Sequence, residues 1–136
     1  MSGLVVDASV AVSWLFDDED EPRALQALEH LAEEGALVPH LWHLETRNAL
    51  LVAERRGRIS AAGVKDRLDA LKGLPVTTDE EPDLQSAFDL ARTHELSFYD
   101  ALYLELAKRE GARLATLDES LARAAVAEGV ALLPGR

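Results

Sequence analysis

The sequence has no cysteine, which excludes disulfides, thiol catalysis and thiolate metal sites, so a bound metal has to be held by oxygen or by the four histidines. Glycine and proline are sparse, 8 and 5 residues of 136, with no low-complexity segment and no internal repeat, which excludes fibrous and disordered classes. No apolar stretch approaches the ~20 residues needed to cross a bilayer, and the N-terminus lacks the basic, apolar and small-residue order of an export signal. A cytoplasmic protein is expected. Positive charge is also scarce: 14 Lys and Arg against 25 Asp and Glu give a net charge of −11, which argues against a protein that simply coats nucleic acid.

An apolar content of 48% supplies one core, so a single domain spanning residues 1–136 is expected. Short apolar runs alternate with helical patterns. Leu4-Val5-Val6, Ala36-Leu37-Val38, Pro75-Val76, Arg113-Leu114-Ala115 and Val130-Ala131-Leu132 read as strands. Helices are expected over about 21–34, 41–56, 60–72, from Pro82, over 98–110 and over about 118–128, with Leu84, Ala87, Phe88 and Ala91 facing inward in the fourth of these. This alternation predicts an α/β domain of three layers, a small parallel sheet with helices on both faces.

Charge is unevenly placed. Residues 47–72 hold seven basic residues (Arg47, Arg55, Arg56, Arg58, Lys65, Arg67, Lys72) against three acids, a local balance of +4 that leaves −15 for the rest. Such a helical hairpin is either a solvated face or an arm that grips phosphates. The acidic run Asp17 to Glu21 reads as a solvated loop without chemistry.

Asp7, Glu45, Asp100 and Asp118 adjoin apolar residues or strand ends, where an unpaired charge is costly. Asp7 and Asp118 follow strands on the side where open α/β sheets bind ligands. Each has an ordinary alternative: Asp7 and Asp118 can cap the following helices, and Ser97-Phe98-Tyr99-Asp100 has capping-box spacing. Glu45 lies inside a helix, on one stripe with Leu41, Trp42, Ala49 and Val52, and an inward carboxylate needs a partner. Asp100 shares a stripe with Tyr103, Leu104 and Ala107. Four carboxylates in a partly dry crevice stay ionised together only around a cation, and oxygen-only ligands point to Mg²⁺ or Mn²⁺. Such ions on an acidic cluster suit phosphodiester hydrolysis, by activating water and neutralising the leaving oxygen. Ser9 and Thr116, each two residues from an acid of the cluster, can hold a water or a carboxylate, or cap a turn.

The segments Val5-Val6-Asp7-Ala8-Ser9-Val10, His43-Leu44-Glu45-Thr46-Arg47-Asn48-Ala49-Leu50, Ser97-Phe98-Tyr99-Asp100-Ala101-Leu102-Tyr103 and Ala115-Thr116-Leu117-Asp118, in that order along the whole chain, resemble those of PIN-domain ribonucleases, more narrowly the VapC-type toxins of toxin-antitoxin pairs. The resemblance implies a metal-dependent endoribonuclease with Asp7, Glu45, Asp100 and Asp118 around Mg²⁺ or Mn²⁺. It further implies a structured RNA substrate such as tRNA or rRNA, products with a 5′-phosphate and a 3′-hydroxyl, a homodimer, and inhibition by an antitoxin whose tail crosses the active site. It also favours the phosphate-gripping reading of the basic hairpin, with Arg47, Arg55, Arg56 and Arg58 as RNA contacts. Three other readings compete: a zinc site on His40 and His43, a haloacid-dehalogenase-like phosphatase, whose loop wants a second Asp where Ser9 stands, and a non-catalytic domain that binds a structural cation.

Overall fold

The computed structural model describes residues 3–16 and 21–134; of the acidic run at 17–21, only Glu21 falls within them. Four strands, β1 (Leu4–Val6), β2 (Ala36–Pro39), β3 (Val76–Asp79) and β4 (Arg113–Ala115), form one parallel sheet in the order β3-β2-β1-β4. The helices are α1 (Ala8–Leu15), α2 (Pro22–Glu34), α3 (His40–Arg55), α4 (Ala61–Lys72), α5 (Leu84–His94), α6 (Phe98–Glu110) and α7 (Glu119–Ala127). The α/β class read from the alternating pattern is the one observed.

Strand order fixes where a ligand would sit. The chain steps from β1 to β2 to β3 in one direction, then returns past both to put β4 on the other side of β1. Right-handed crossovers turn that reversal into helices on opposite faces. Accordingly α2 packs on β1 and β4, while α6 packs on β1, β2 and β4 and carries α5 and α7. The order reverses beside β1, which makes the crevice at the carboxyl ends of β1 and β4 the topological switch point.

β1 is paired on both sides and its Leu4, Val5 and Val6 are buried, which explains three consecutive apolar residues in place of alternation. α6 is nearly as enclosed: Ala101 and every residue from Tyr103 to Ala107 are buried. Gly35 ends α2 at φ 77°, and a Cβ there would stand 2.9 Å from the Pro75 carbonyl oxygen. The chain must pass close to β3 at that point in order to start β2.

Three local expectations are corrected. Val130–Leu132 is not a strand: it meets β4 only through Leu114 N–H donating to the Ala131 carbonyl at 2.9 Å and Leu133 N–H donating to that of Leu114 at 3.0 Å. Pro134, which lacks an N–H, follows before a ladder can extend. Pro82 precedes α5 without opening it, because Asp83 is the cap and its side chain accepts from Ser86 N–H. The buried face of α5 is Ala87 and Leu90 with Ala91 half-buried, whereas Leu84 and Phe88 are exposed, Phe88 lying beneath the Arg92 guanidinium.

Candidate active site

Asp7 is built into the switch point. It follows β1, caps α1 by accepting from Val10 N–H at 3.2 Å, and is 4% exposed. Two hydroxyls close around its carboxylate. Ser9 Oγ donates to Oδ1 at 2.6 Å while accepting from Leu117 N–H at 2.9 Å, and Thr116 Oγ1 donates to Oδ2 while accepting from Asp118 N–H at 3.0 Å. Ser9 and Thr116 thus do both things the sequence left open: they tie the turn after β4 to the start of α1, and they orient the carboxylate. Burial still dominates and pushes Asp7 up to about 6, the three hydrogen bonds opposing it and the charge of Asp100 adding to it.

Glu45 enters from α3 and is half-buried. Its Oε1 accepts at 2.6 Å from the hydroxyl of Tyr103, a fully buried residue one turn along α6 from Asp100. Tyr103 is the residue that sequence reasoning left out of the site. The available signal was its place three residues after Asp100, because a buried tyrosine hydroxyl requires a partner. Asp100 sits in the first turn of α6, where its N–H donates to Ser97 Oγ at 3.0 Å, so the capping-box reading holds, and Ser97 also hydrogen-bonds the carboxylate, which partly opposes the rise in its proton affinity. Asp118 is exposed and caps α7 through Leu121 N–H at 2.9 Å.

These acids feel one another. Removal from water is the largest cause of the raised proton affinity of Glu45 and of Asp100; the charge of Asp100 adds to that of Glu45, and the charge of Asp118 adds to that of Asp100. No Lys or Arg is among the groups that shift Asp7, Glu45 or Asp100. The crevice therefore carries uncompensated negative charge on oxygen donors alone, a set that fits a hard divalent cation. Among the described residues no three His, Asp or Glu side chains are already gathered closely enough to hold an ion.

The basic residues divide into two groups. Arg47 is two residues from Glu45, its guanidinium folded back on the His43 carbonyl at 3.3 Å and on Thr46 Oγ1 at 3.2 Å. Arg55 and Arg56 are exposed at the far end of α3, about 15 Å along the helix axis from Glu45. Arg58 stacks on the Phe16 ring at 4.0 Å, and Arg67 Nε donates to the Leu15 carbonyl at 2.8 Å, which fastens the hairpin of α3 and α4 to the end of α1. The zinc reading finds no support among the described residues: His43 Nε2 is 2.8 Å from Thr78 Oγ1, and the pair with His40 has no third ligand.

Comparison with known proteins agrees with this architecture. Residues 4–127 match the PIN domain family. The chain is 36% identical over 121 residues to Ribonuclease VapC3 of Mycobacterium tuberculosis, covering 89% of this chain and 86% of that protein. It is 35% identical over 123 residues to Ribonuclease VapC3 of Pyrobaculum aerophilum, covering 88% and 92% respectively. The crystal structure of PAE2754 from Pyrobaculum aerophilum superposes with a TM-score of 0.71 at 27% identity, over 90% of this chain and 84% of that one.

Proposed function

The chain belongs to the PIN-domain family as a VapC-type ribonuclease, and from that premise we propose that it is a divalent-cation-dependent endoribonuclease working through Asp7, Glu45, Asp100 and Asp118. The observation that carries this reading is the buried, clasped Asp7 at the switch point, coupled through Asp100 to the other acids with no Lys or Arg among the described groups that shift Asp7 or Asp100. Asp7, Glu45, Asp100 and Asp118 would hold Mg²⁺ or Mn²⁺, which when bound would supply charge neutralisation at the scissile phosphate and activation of the attacking water.

The protein's own groups do the remaining work. Ser9 and Thr116 hold Asp7 in one orientation, so its oxygens need no reorganisation when substrate arrives. Arg47, two residues from Glu45 in sequence, and Arg55, Arg56 and Arg58 on the hairpin would bind backbone phosphates of the RNA and lay it across the crevice. Water adds to phosphorus and the bond to the 3′ oxygen breaks, leaving a 5′-phosphate and a 3′-hydroxyl. A structured RNA such as tRNA or rRNA is the proposed substrate, and the cytoplasm the proposed location. Among the described residues no helix is long and apolar enough to cross a membrane.

A toxin of this type needs an inhibitor. A cognate antitoxin with a basic segment suits both the uncompensated crevice and the net charge of −11. Exposed Leu44 and Leu51 on α3 offer apolar contacts near Glu45 for that antitoxin or for the second copy in the proposed homodimer. The reading is tested by incubating antitoxin-free protein with pooled tRNA and rRNA in Mg²⁺, Mn²⁺ or EDTA and mapping the ends produced. Discrete cation-dependent cuts with 5′-phosphate ends support it. Cation binding without any cuts would favour a non-catalytic interaction domain.

A further inference from the structure

Tyr103 is 1% exposed, so its hydroxyl has to be satisfied inside the protein, and the partner it takes is a carboxylate from another helix. Among the described residues no other hydrogen bond reaches the Glu45 side chain. The donor is also well placed: Asp100 and Tyr103 are one turn apart on α6, so a single turn presents one acid of the site and steadies a second that arrives on α3. Burial is the largest cause of the raised proton affinity of the Tyr103 hydroxyl, with the hydrogen bond to Glu45 and the charges of Glu45, Asp7 and Asp100 adding to it, and the protonated hydroxyl donates to Glu45 Oε1.

We infer that Tyr103 is a positioning residue of the cation site: by donating to Oε1 of Glu45 it fixes that carboxylate in one orientation and leaves Oε2 as the oxygen offered to the cation. Outer groups that orient a ligating carboxylate typically change metal affinity by about 10- to 100-fold when removed. Tyr103 is too deeply buried to touch RNA, so its influence on the reaction passes through Glu45. The inference rests on the cation-site reading above, and the test separates the two.

Mn²⁺ binding to the full, antitoxin-free chain is measured by water-proton relaxation for wild type, Tyr103→Phe, Glu45→Gln and the double variant, with thermal midpoints for each and cleavage kinetics on the pooled RNA. Tyr103→Phe removes one oxygen atom and keeps the ring, so its fold is retained. The expected results are Mn²⁺ affinity weakened about tenfold or more, a lower kcat with KM for RNA unchanged, and little further loss when Tyr103→Phe is added to Glu45→Gln. Unchanged Mn²⁺ affinity in Tyr103→Phe, beside a weakened Glu45→Gln, would overturn the positioning role while leaving the cation site standing. An equal loss with and without the Glu45 carboxylate would overturn it as well. Absence of Mn²⁺ binding by wild type would remove the cation site and this inference with it.

Discussion

Asp7 is held in a place that suits a neutral carboxyl better than a charged one. Its ordinary value of 3.8 becomes about 6 in the folded chain, chiefly through burial, so between those values the native state binds the proton that the unfolded state has released. Stability contributed by this group is therefore complete below pH about 4 and is lost as pH rises through about 6, amounting to on the order of 3 kcal/mol. In EDTA, this contribution should make wild type less stable at pH 7.5 than its other groups alone would, and Asp7→Asn should remove that loss; denaturant melts of the two proteins at pH 4.5 and 7.5 measure the difference. Adding Mg²⁺ at pH 7.5 should stabilise wild type more than the variant, because a ligand that binds only the folded state raises its stability. Thr116→Val takes the donor from Oδ2 and should cost about 1–3 kcal/mol at neutral pH and slow cleavage, since a buried carboxylate oxygen then has no partner. A variant with wild-type stability and rate would show that the Thr116 bond does not orient Asp7. Asp7, Glu45 and Asp100 stood out in the sequence because each adjoined apolar residues, and the structure buries Asp7 and half-buries the other two. Asp118, singled out for following β4, is exposed, and both Asp7 and Asp118 cap helices. Tyr103 was harder to find, since a tyrosine on an apolar stripe looks like core until the partner of its hydroxyl is known.

The elements were legible where burial is two-sided and obscure where it is one-sided. β1 announces itself as an apolar run, being covered on both sides, and α6 by the apolar residues of its largely buried middle, Ala101 to Ala107. β3 lies at the sheet edge with Thr77 exposed and the polar Thr78 and Asp79 half-buried, so only its first residue looked like strand. The inward stripe of α5 was misjudged because Leu84 and Phe88 are apolar yet exposed, and spacing alone does not say which of two adjoining stripes a neighbour covers. Gly35 was read as a helix stop, and the structure adds that no larger residue fits beside Pro75. Gly35→Ala should destabilise by more than about 1 kcal/mol in chemical denaturation, combining a positive φ with a 2.9 Å approach. The hairpin of α3 and α4 is tied to α1 by Arg58 and Arg67, leaving Arg55 and Arg56 outward. Reversing the charge of Arg55 and Arg56 should weaken RNA binding and lower the slope of its salt dependence by about 1 or more. Mn²⁺ affinity should stay as it was; an unchanged salt slope would make the hairpin an ordinary solvated face.

At the scale of the whole molecule, topology and charge converge on one crevice. The return from β3 to β4 sets two strand ends side by side, and the turns after them carry Asp7 and Asp118. The helices on either face of the sheet deliver Glu45 and Asp100. A chain with net charge −11 repels RNA at long range, so the proposed cleavage would rely on a cation at the crevice and on the basic hairpin rather than on the overall field. The most direct test of this account is the rate at which Asp7→Asn cleaves pooled tRNA and rRNA in saturating Mg²⁺, compared with wild type at equal folded fraction. The account predicts a variant at least as stable as wild type in EDTA at neutral pH whose cleavage falls to background. Cleavage near the wild-type rate by a folded Asp7→Asn would contradict it, and would move the chemistry away from the switch-point acids.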